Sequence, residues 1–213
     1  ERDDGNVLEV DVLPDVDLGP VRQREHTDAL ARREPAHRAV NPRRLQALRR
    51  SERRQNRRKL EAEAGAVGSA SIDLDGDGKT DLIVWNAKGA QGFQSGSKAT
   101  DIGLGAVPGI ISVAVGDFNN DGLADLAILT QEGASLWANK KGKFEKAPAD
   151  LPKGTFAKAI WIDYDHDYDL DLVLLGADSA LVRNNGAAGF STKDVTFPFI
   201  KGNAVDGAFF DLV

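Results

Sequence analysis

The sequence predicts an all-β fold: a partial β-propeller of about three four-stranded blades plus the start of a fourth, preceded by a basic segment that is helical or disordered. Three observations carry that prediction. Acidic segments starting at Asp73, Asp117, Asp163 and Asp211 recur at intervals of 44, 46 and 48 residues, and a period of about 45 residues is the length of one propeller blade. Each of the first three leads through an Asp-Leu step into a short apolar run bounded by Gly, Asp and Asn, the pattern of a buried strand. Finally, the charge divides the chain into a basic arm and an acidic remainder, with helical periodicity missing from 68–213.

The composition permits this. The chain has 213 residues, 41% of them hydrophobic, with 22 Gly and 33 Asp+Glu, which favours turn-rich acidic loops over helical bundles. Cysteine is absent, so a disulfide framework and thiolate metal ligation are excluded, while the compartment stays open. No run approaches the ~20 apolar residues of a membrane-spanning helix. The formal net charge of −6 conceals −6 in residues 1–20, +10 in 21–60 and −10 in 61–213. That asymmetry places a boundary near Ala62 to Gly68, giving an N-terminal charged segment, 1–65, and a repeat region, 66–213. Within the latter the blades run over about 66–110, 111–156 and 157–204, with a partial fourth at 205–213.

The elements follow in order within each repeat. A small or apolar run leads in: Ala70-Ser71-Ile72, Ala114-Val115-Gly116, Ile160-Trp161-Ile162 and Ala208-Phe209-Phe210. The acidic loop comes next, then the strands Asp81-Leu82-Ile83-Val84-Trp85, Asp125-Leu126-Ala127-Ile128-Leu129 and Asp171-Leu172-Val173-Leu174-Leu175. A weaker strand follows, Ala134–Trp137 in one repeat and Ala180–Val182 in another, with a glycine turn after it at Lys141-Gly142 or Asn185-Gly186. Phe144 and Phe190 then open a last strand, whereas Phe93 lies closer to its loop. A β-sandwich with accidental similarity is the bland alternative, and three matched loops in phase argue against it.

The loops carry the chemistry. The first is Asp73-Leu74-Asp75-Gly76-Asp77-Gly78-Lys79-Thr80-Asp81, the second Asp117-Phe118-Asn119-Asn120-Asp121-Gly122-Leu123-Ala124-Asp125, and the third Asp163-Tyr164-Asp165-His166-Asp167-Tyr168-Asp169-Leu170-Asp171. Oxygen donors at positions one, three, five and nine suit a hard cation with six to eight ligands, and Ca²⁺ is the expected ion. Glycine at six allows a sharp reversal, after which the main-chain carbonyl of Lys79, Leu123 or Asp169 at position seven faces the ion. Mg²⁺ resists so many protein ligands, and soft metals lack soft donors. The candidate ligands are therefore Asp73, Asp75, Asp77, Lys79 and Asp81; Asp117, Asn119, Asp121, Leu123 and Asp125; and Asp163, Asp165, Asp167, Asp169 and Asp171. Tyr168 replaces the glycine at six, so the third loop is expected to be strained or to follow another path. An Asp/Gly-rich turn that binds nothing is the alternative for any one loop. An EF-hand needs a glutamate at position twelve, where Val84, Ile128 and Leu174 stand.

These loops, their Asp-Leu exits and their spacing resemble the FG-GAP/VCBS repeats of integrin α-subunit propellers and of bacterial surface and secreted proteins. The stretch Leu181-Val182-Arg183-Asn184-Asn185-Gly186 followed by Phe190 is similar to later strands of such units. The resemblance implies blades arranged as a ring, typically seven, each calcium loop joining the first two strands of its blade. It further implies structural metal, a protein or glycan partner bound on a loop-rich face, and a secreted, periplasmic or cell-surface location. Three and a fraction units do not close a ring, so further blades or an open arc are expected.

The arm 21–60 holds Arg43-Arg44, Arg49-Arg50, Arg53-Arg54 and Arg57-Arg58-Lys59. Leu45, Leu48 and Leu60 give a narrow stripe that predicts a solvated helix over 42–63, while Val7 to Val12 predicts a strand. An exposed linker is the favoured reading of the arm. Nucleic-acid or anionic-partner binding is the alternative, weakened because 21–60 contains no aromatic residue for base stacking. The sequence predicts a non-enzymatic binding module. Of its histidines, His26 and His37 lie in the arm and His166 in a loop, where a solvent-facing role is expected, and no serine has a recognisable base nearby. The enzymatic alternative is the non-catalytic propeller part of a secreted polysaccharide-acting protein.

Overall fold

The computed structural model describes residues 8–11, 57–60, 62–95, 98–193, 195–196 and 202–208. They fall in two compact units, Glu9–Lys59 and the remainder. β1 (Leu8–Asp11) pairs with β2 (Arg57–Leu60) in a two-stranded sheet. β1 falls inside the strand predicted for Val7–Val12. β2 corrects the end of the helix predicted over 42–63: its backbone groups find a partner strand instead of one another, and the apolar stripe of the predicted helix was too thin to compete. Residues 42–56 lie outside the described residues, as do 209–213 and the acidic segment beginning at Asp211.

The repeat region is all-β. Its sheets are β3 (Gly68–Ile72), β4 (Asp81–Trp85) and β5 (Ala90–Phe93); then β6 (Ser112–Gly116), β7 (Asp125–Thr130), β8 (Gly133–Asn139) and β9 (Phe144–Ala147); then β10 (Phe156–Ile162), β11 (Asp171–Gly176), β12 (Ala180–Asn184) and β13 (Phe190–Ser191). Within every sheet the strands lie in chain order and pair antiparallel. Phe144 and Phe190 open the fourth strands as the sequence predicts. The first sheet differs, with three strands among the described residues and a single bridge from Gly92 to Thr100 in the fourth place. Phe93 explains the difference: it pairs with Leu82 as Trp137 pairs with Leu126, so it closes a third strand and opens nothing.

The second strand of each sheet is buried along nearly its whole length, because its alternate residues serve two different interfaces. Leu126 and Ile128 join Ile83, Trp85, Ile102, Leu104 and Phe144 between the first and second sheets. Ala127 and Leu129 join Leu172, Leu174, Phe156 and Val182 between the second and third. Val173 and Leu175, on the other face of β11, pack with Leu181. Three stacked antiparallel sheets of blade size constitute a partial β-propeller.

The backbone of Gly116 lies close against side chains of the third repeat. A Cβ on Gly116 would stand 2.7 Å from the Trp161 ring and 2.9 Å from Leu170, so a larger residue at the end of β6 would push the third sheet away.

Candidate functional site

The three acidic loops join the first and second strands of their sheets: β3 to β4, β6 to β7 and β10 to β11. Their shape comes from short-range hydrogen bonds. The position-one carboxylate accepts from the N–H of position five (Asp73 from Asp77 at 3.2 Å, Asp117 from Asp121 at 3.1 Å, Asp163 from Asp167 at 3.1 Å). Its second oxygen accepts from position six, that is Gly78 and Gly122 at 2.8 Å and Tyr168 at 3.2 Å. Oxygens at three and five cap the residue two further on: Asp75 to Asp77, Asn119 to Asp121, Asp77 to Lys79, Asp121 to Leu123 and Asp167 to Asp169. Alternation of Asp and Asn therefore templates the curl before any ion is considered.

Two positions per loop take left-handed backbone. Position six does so at Gly78 (φ 79°), Gly122 (φ 85°) and Tyr168 (φ 72°), and position four at Gly76 (φ 79°), Asn120 (φ 55°) and His166 (φ 62°). The third loop thus keeps the path of the others and carries the strain on a tyrosine that is 88% exposed. The requirement at four was missed from sequence, although Gly76 and Asn120, the residue types that tolerate this region best, signal it.

Position nine opens the second strand and is buried: Asp81, Asp125 and Asp171 are 4%, 0% and 0% exposed. Its carboxylate ties the loop to the end of the third strand. Asp81 accepts from the N–H of Leu74 at 3.1 Å and of Ser95 at 3.0 Å, Asp171 from Tyr164 at 2.9 Å and Asn184 at 2.8 Å, and Asp125 from Asn139 at 2.7 Å. Burial, with neighbouring acids adding to it, pushes the Asp125 carboxyl up to about 6 and raises Asp81 and Asp171 above the ordinary carboxylate range.

Asn139 and Asn184 are functional residues that sequence reasoning missed. The Asn139 amide donates to the Leu74 carbonyl and to that of Ala124, both at 3.0 Å, while its oxygen accepts from Gly142. Asn184 donates to the Phe118 carbonyl at 2.9 Å. The third strands of the second and third blades therefore hold position two of the preceding loop. The side chain there enters the core between sheets: Leu74 is fully buried, and Phe118 stacks on Trp161 with ring centres 5.9 Å apart. Consecutive loops also meet at position seven. Asp169 accepts from Asn120 at 2.7 Å, and a Cβ on Gly76 would touch Leu123. Lys79, the remaining position-seven residue, pairs with Asp77 on its own loop.

Asp73, Asp75 and Asp77 present carboxylate oxygens within 4.8 Å of one another, as do Asp163, Asp165 and Asp171. The other predicted acids stand outside these two groups, and in the second loop Asn119 replaces an acid at three. His166 is exposed. Asp125 Oδ2 and both oxygens of Asp165 are buried without a hydrogen-bond partner, although Asp165 Oδ2 is ion-paired with Arg183. Buried carboxylate oxygens need a donor or a cation, and with only oxygen donors present the loops fit a hard metal ion.

Tandem antiparallel sheets, each with an acidic loop between its first two strands, define a propeller-type repeat protein. Residues 73–128 and 117–174 both match the FG-GAP-like repeat. Over residues 73–174 the chain carries repeats of that family. Among curated proteins none matches the chain.

Proposed function

We propose that this chain is a calcium-binding repeat module whose ions are structural, and that it mediates protein or glycan recognition in a secreted, periplasmic or cell-surface setting without itself catalysing a reaction. The observation that supports this most directly is the gathering of the Asp73, Asp75 and Asp77 carboxylates within 4.8 Å, repeated at Asp163, Asp165 and Asp171. Like charges so close repel one another, and a divalent ion turns that repulsion into attraction. The ligand set is that of positions one, three, five and nine with the carbonyl at seven, contributed in the second loop by Asp117, Asn119, Asp121, Leu123 and Asp125.

Calcium supplies charge and a coordination centre, and the chain's residues do the rest. Position one fixes the curl, position nine fixes the loop on its sheet, and the Asn139 and Asn184 amides fix it on the next. Extracellular calcium is millimolar, a range that suits sites of modest affinity. Among the described residues no helix is long and apolar enough to cross a membrane.

The test is thermal unfolding of the full chain in calcium and in chelator. Ion binding to the folded state alone adds about 2.7 kcal/mol per site at 100 times the dissociation constant. A rise in melting temperature with calcium, reduced stepwise by Asp73→Asn, Asp117→Asn and Asp163→Asn, is the expected result. Superimposable curves in the two solutions would reject the proposal.

A further inference from the structure

Strand register aligns Gln94, Ala138 and Arg183. Phe93, Trp137 and Val182 pair with Leu82, Leu126 and Leu172 respectively, and each of the three follows one of these. The aligned side chains match position three of their own loops. Gln94 donates its amide to Asp75 Oδ2 at 3.2 Å. Arg183 closes on Asp165 Oδ2 as an ion pair, without the alignment of a hydrogen bond. Ala138 offers no polar group, and position three of its loop is the neutral Asn119. The cation thus faces the loop with the most acids: five in the third, against four in the first and three in the second.

We propose that Arg183 is a built-in counter-ion of the third loop, neutralising Asp165 while the loop holds no metal and opposing the cation that enters, so that it sets the loop's affinity. This rests on the metal-binding reading above. Asp165 lies within 4.8 Å of both Asp163 and Asp171 by its carboxylate oxygens, so a charge held on it is felt by the whole group. Guanidinium stays protonated at any physiological pH, and the Arg183 side chain is 44% exposed, which leaves it free to move into water when an ion arrives. A single and a double positive charge about 6 Å apart in near-aqueous dielectric repel enough to weaken binding roughly tenfold.

The experiment is a calcium chloride titration of the full chain followed by backbone amide NMR. Gly76 and Gly78 report the first loop, Gly122 the second, and Asp167 and Tyr168 the third. Arg183→Gln is expected to tighten the third loop roughly tenfold and leave the others unchanged, while lowering the melting temperature in chelator; Arg183→Lys keeps the wild-type affinity. Gln94→Arg, which installs the same charge beside Asp75, is expected to weaken the first loop and serves if the Arg183 variant does not fold. An Arg183→Gln third loop of unchanged or weaker affinity overturns the proposal, because a bracing side chain would behave that way. Wild-type protein with no calcium response in any loop overturns the metal-binding reading as well, whereas a wild-type response with an inert Arg183→Gln overturns the counter-ion alone.

Discussion

The side-chain amide of Asn139 donates to the main-chain carbonyl of Leu74, 65 residues earlier and in the preceding blade, at 3.0 Å. Asn184 does the same to Phe118, 66 residues away. Position two of a loop is thereby held from three directions. In the first repeat the Leu74 N–H goes to Asp81 of its own sheet, its carbonyl to the next sheet, and its side chain to the core between them. Loop order and blade packing are one structural unit at this residue.

Asn139→Ala therefore removes more than a surface contact. It leaves the carbonyls of Leu74 and Ala124 and the N–H of Gly142 without their partner, each in a partly or fully buried setting. Unmet buried polar groups cost about 1–3 kcal/mol. The expected loss of about 2 kcal/mol corresponds to a drop of roughly 4–8 °C in a chain of this size. Calorimetry in chelator, where metal does not contribute, reads it directly; a change below a degree would show that the amide is a bystander.

Much of this architecture is legible in the sequence because it is written in local patterns. The blade period, the second strands and the templating alternation of Asp and Asn all lie within short stretches of chain. The latch asparagines are not legible, since Asn139 and Asn184 stand beside Lys140-Lys141-Gly142 and Asn185-Gly186 and read as turn residues. Only the packing of one sheet on the next shows what their amides reach. That the first sheet shows three strands among the described residues is only hinted at, by Phe93 lying closer to its loop than Phe144 does; register shows that Phe93 closes the third strand. Arg183 likewise looks like a solvated strand residue until the curl of its loop brings Asp165 against it.

Replacing the position-nine acid should separate two roles that the wild type combines. Asp125 is buried, and its Oδ1 accepts from Asn139, an acceptor that Asp125→Asn retains. The charge itself is unfavourable there without metal, as the carboxyl pushed up to about 6 indicates. Relief of that charge is worth roughly 3 kcal/mol at neutral pH. The variant is expected to melt higher than wild type in chelator and to lose the calcium increment of the second loop. Lower stability in both solutions would mean that hydrogen bonding through both oxygens, not charge, is what the site requires.

The same displacement fixes a pH dependence. A carboxyl whose folded value is about 6, above its unfolded value of 3.8, binds more protons in the folded state between those two limits. Its destabilising contribution is fully present above pH 6 and is lost as the pH falls toward 3.8. Asp81 and Asp171 are raised in the same direction. Metal-free protein is thus expected to gain stability from Asp125 between pH 7 and pH 5, against the usual acid trend, with Asp81 and Asp171 acting in the same direction. In calcium the protons compete with the ion, and the calcium increment should shrink over the same interval. Denaturant titrations at several pH values with and without calcium compare the two slopes. Parallel slopes would detach these acids from the metal.

Position six gives opposite predictions in two loops of one chain. Tyr168 holds φ 72° with 88% of its surface exposed, so its ring contributes little packing while its Cβ is strained. A non-glycine residue in this region costs about 1–3 kcal/mol, and part of that gain returns as the extra freedom of an unfolded glycine. Tyr168→Gly is accordingly expected to stabilise by about 1 kcal/mol, in chelator and in calcium alike. Gly122 holds φ 85° with open space around its Cβ position, so Gly122→Ala meets no clash and suffers the conformational penalty alone, a loss of about 1 kcal/mol. Chemical denaturation of both variants beside wild type checks the pair. Should Tyr168→Gly destabilise instead, the exposed ring must be held by contacts that its strained backbone exists to make, and the loop would be carrying an aromatic for a partner.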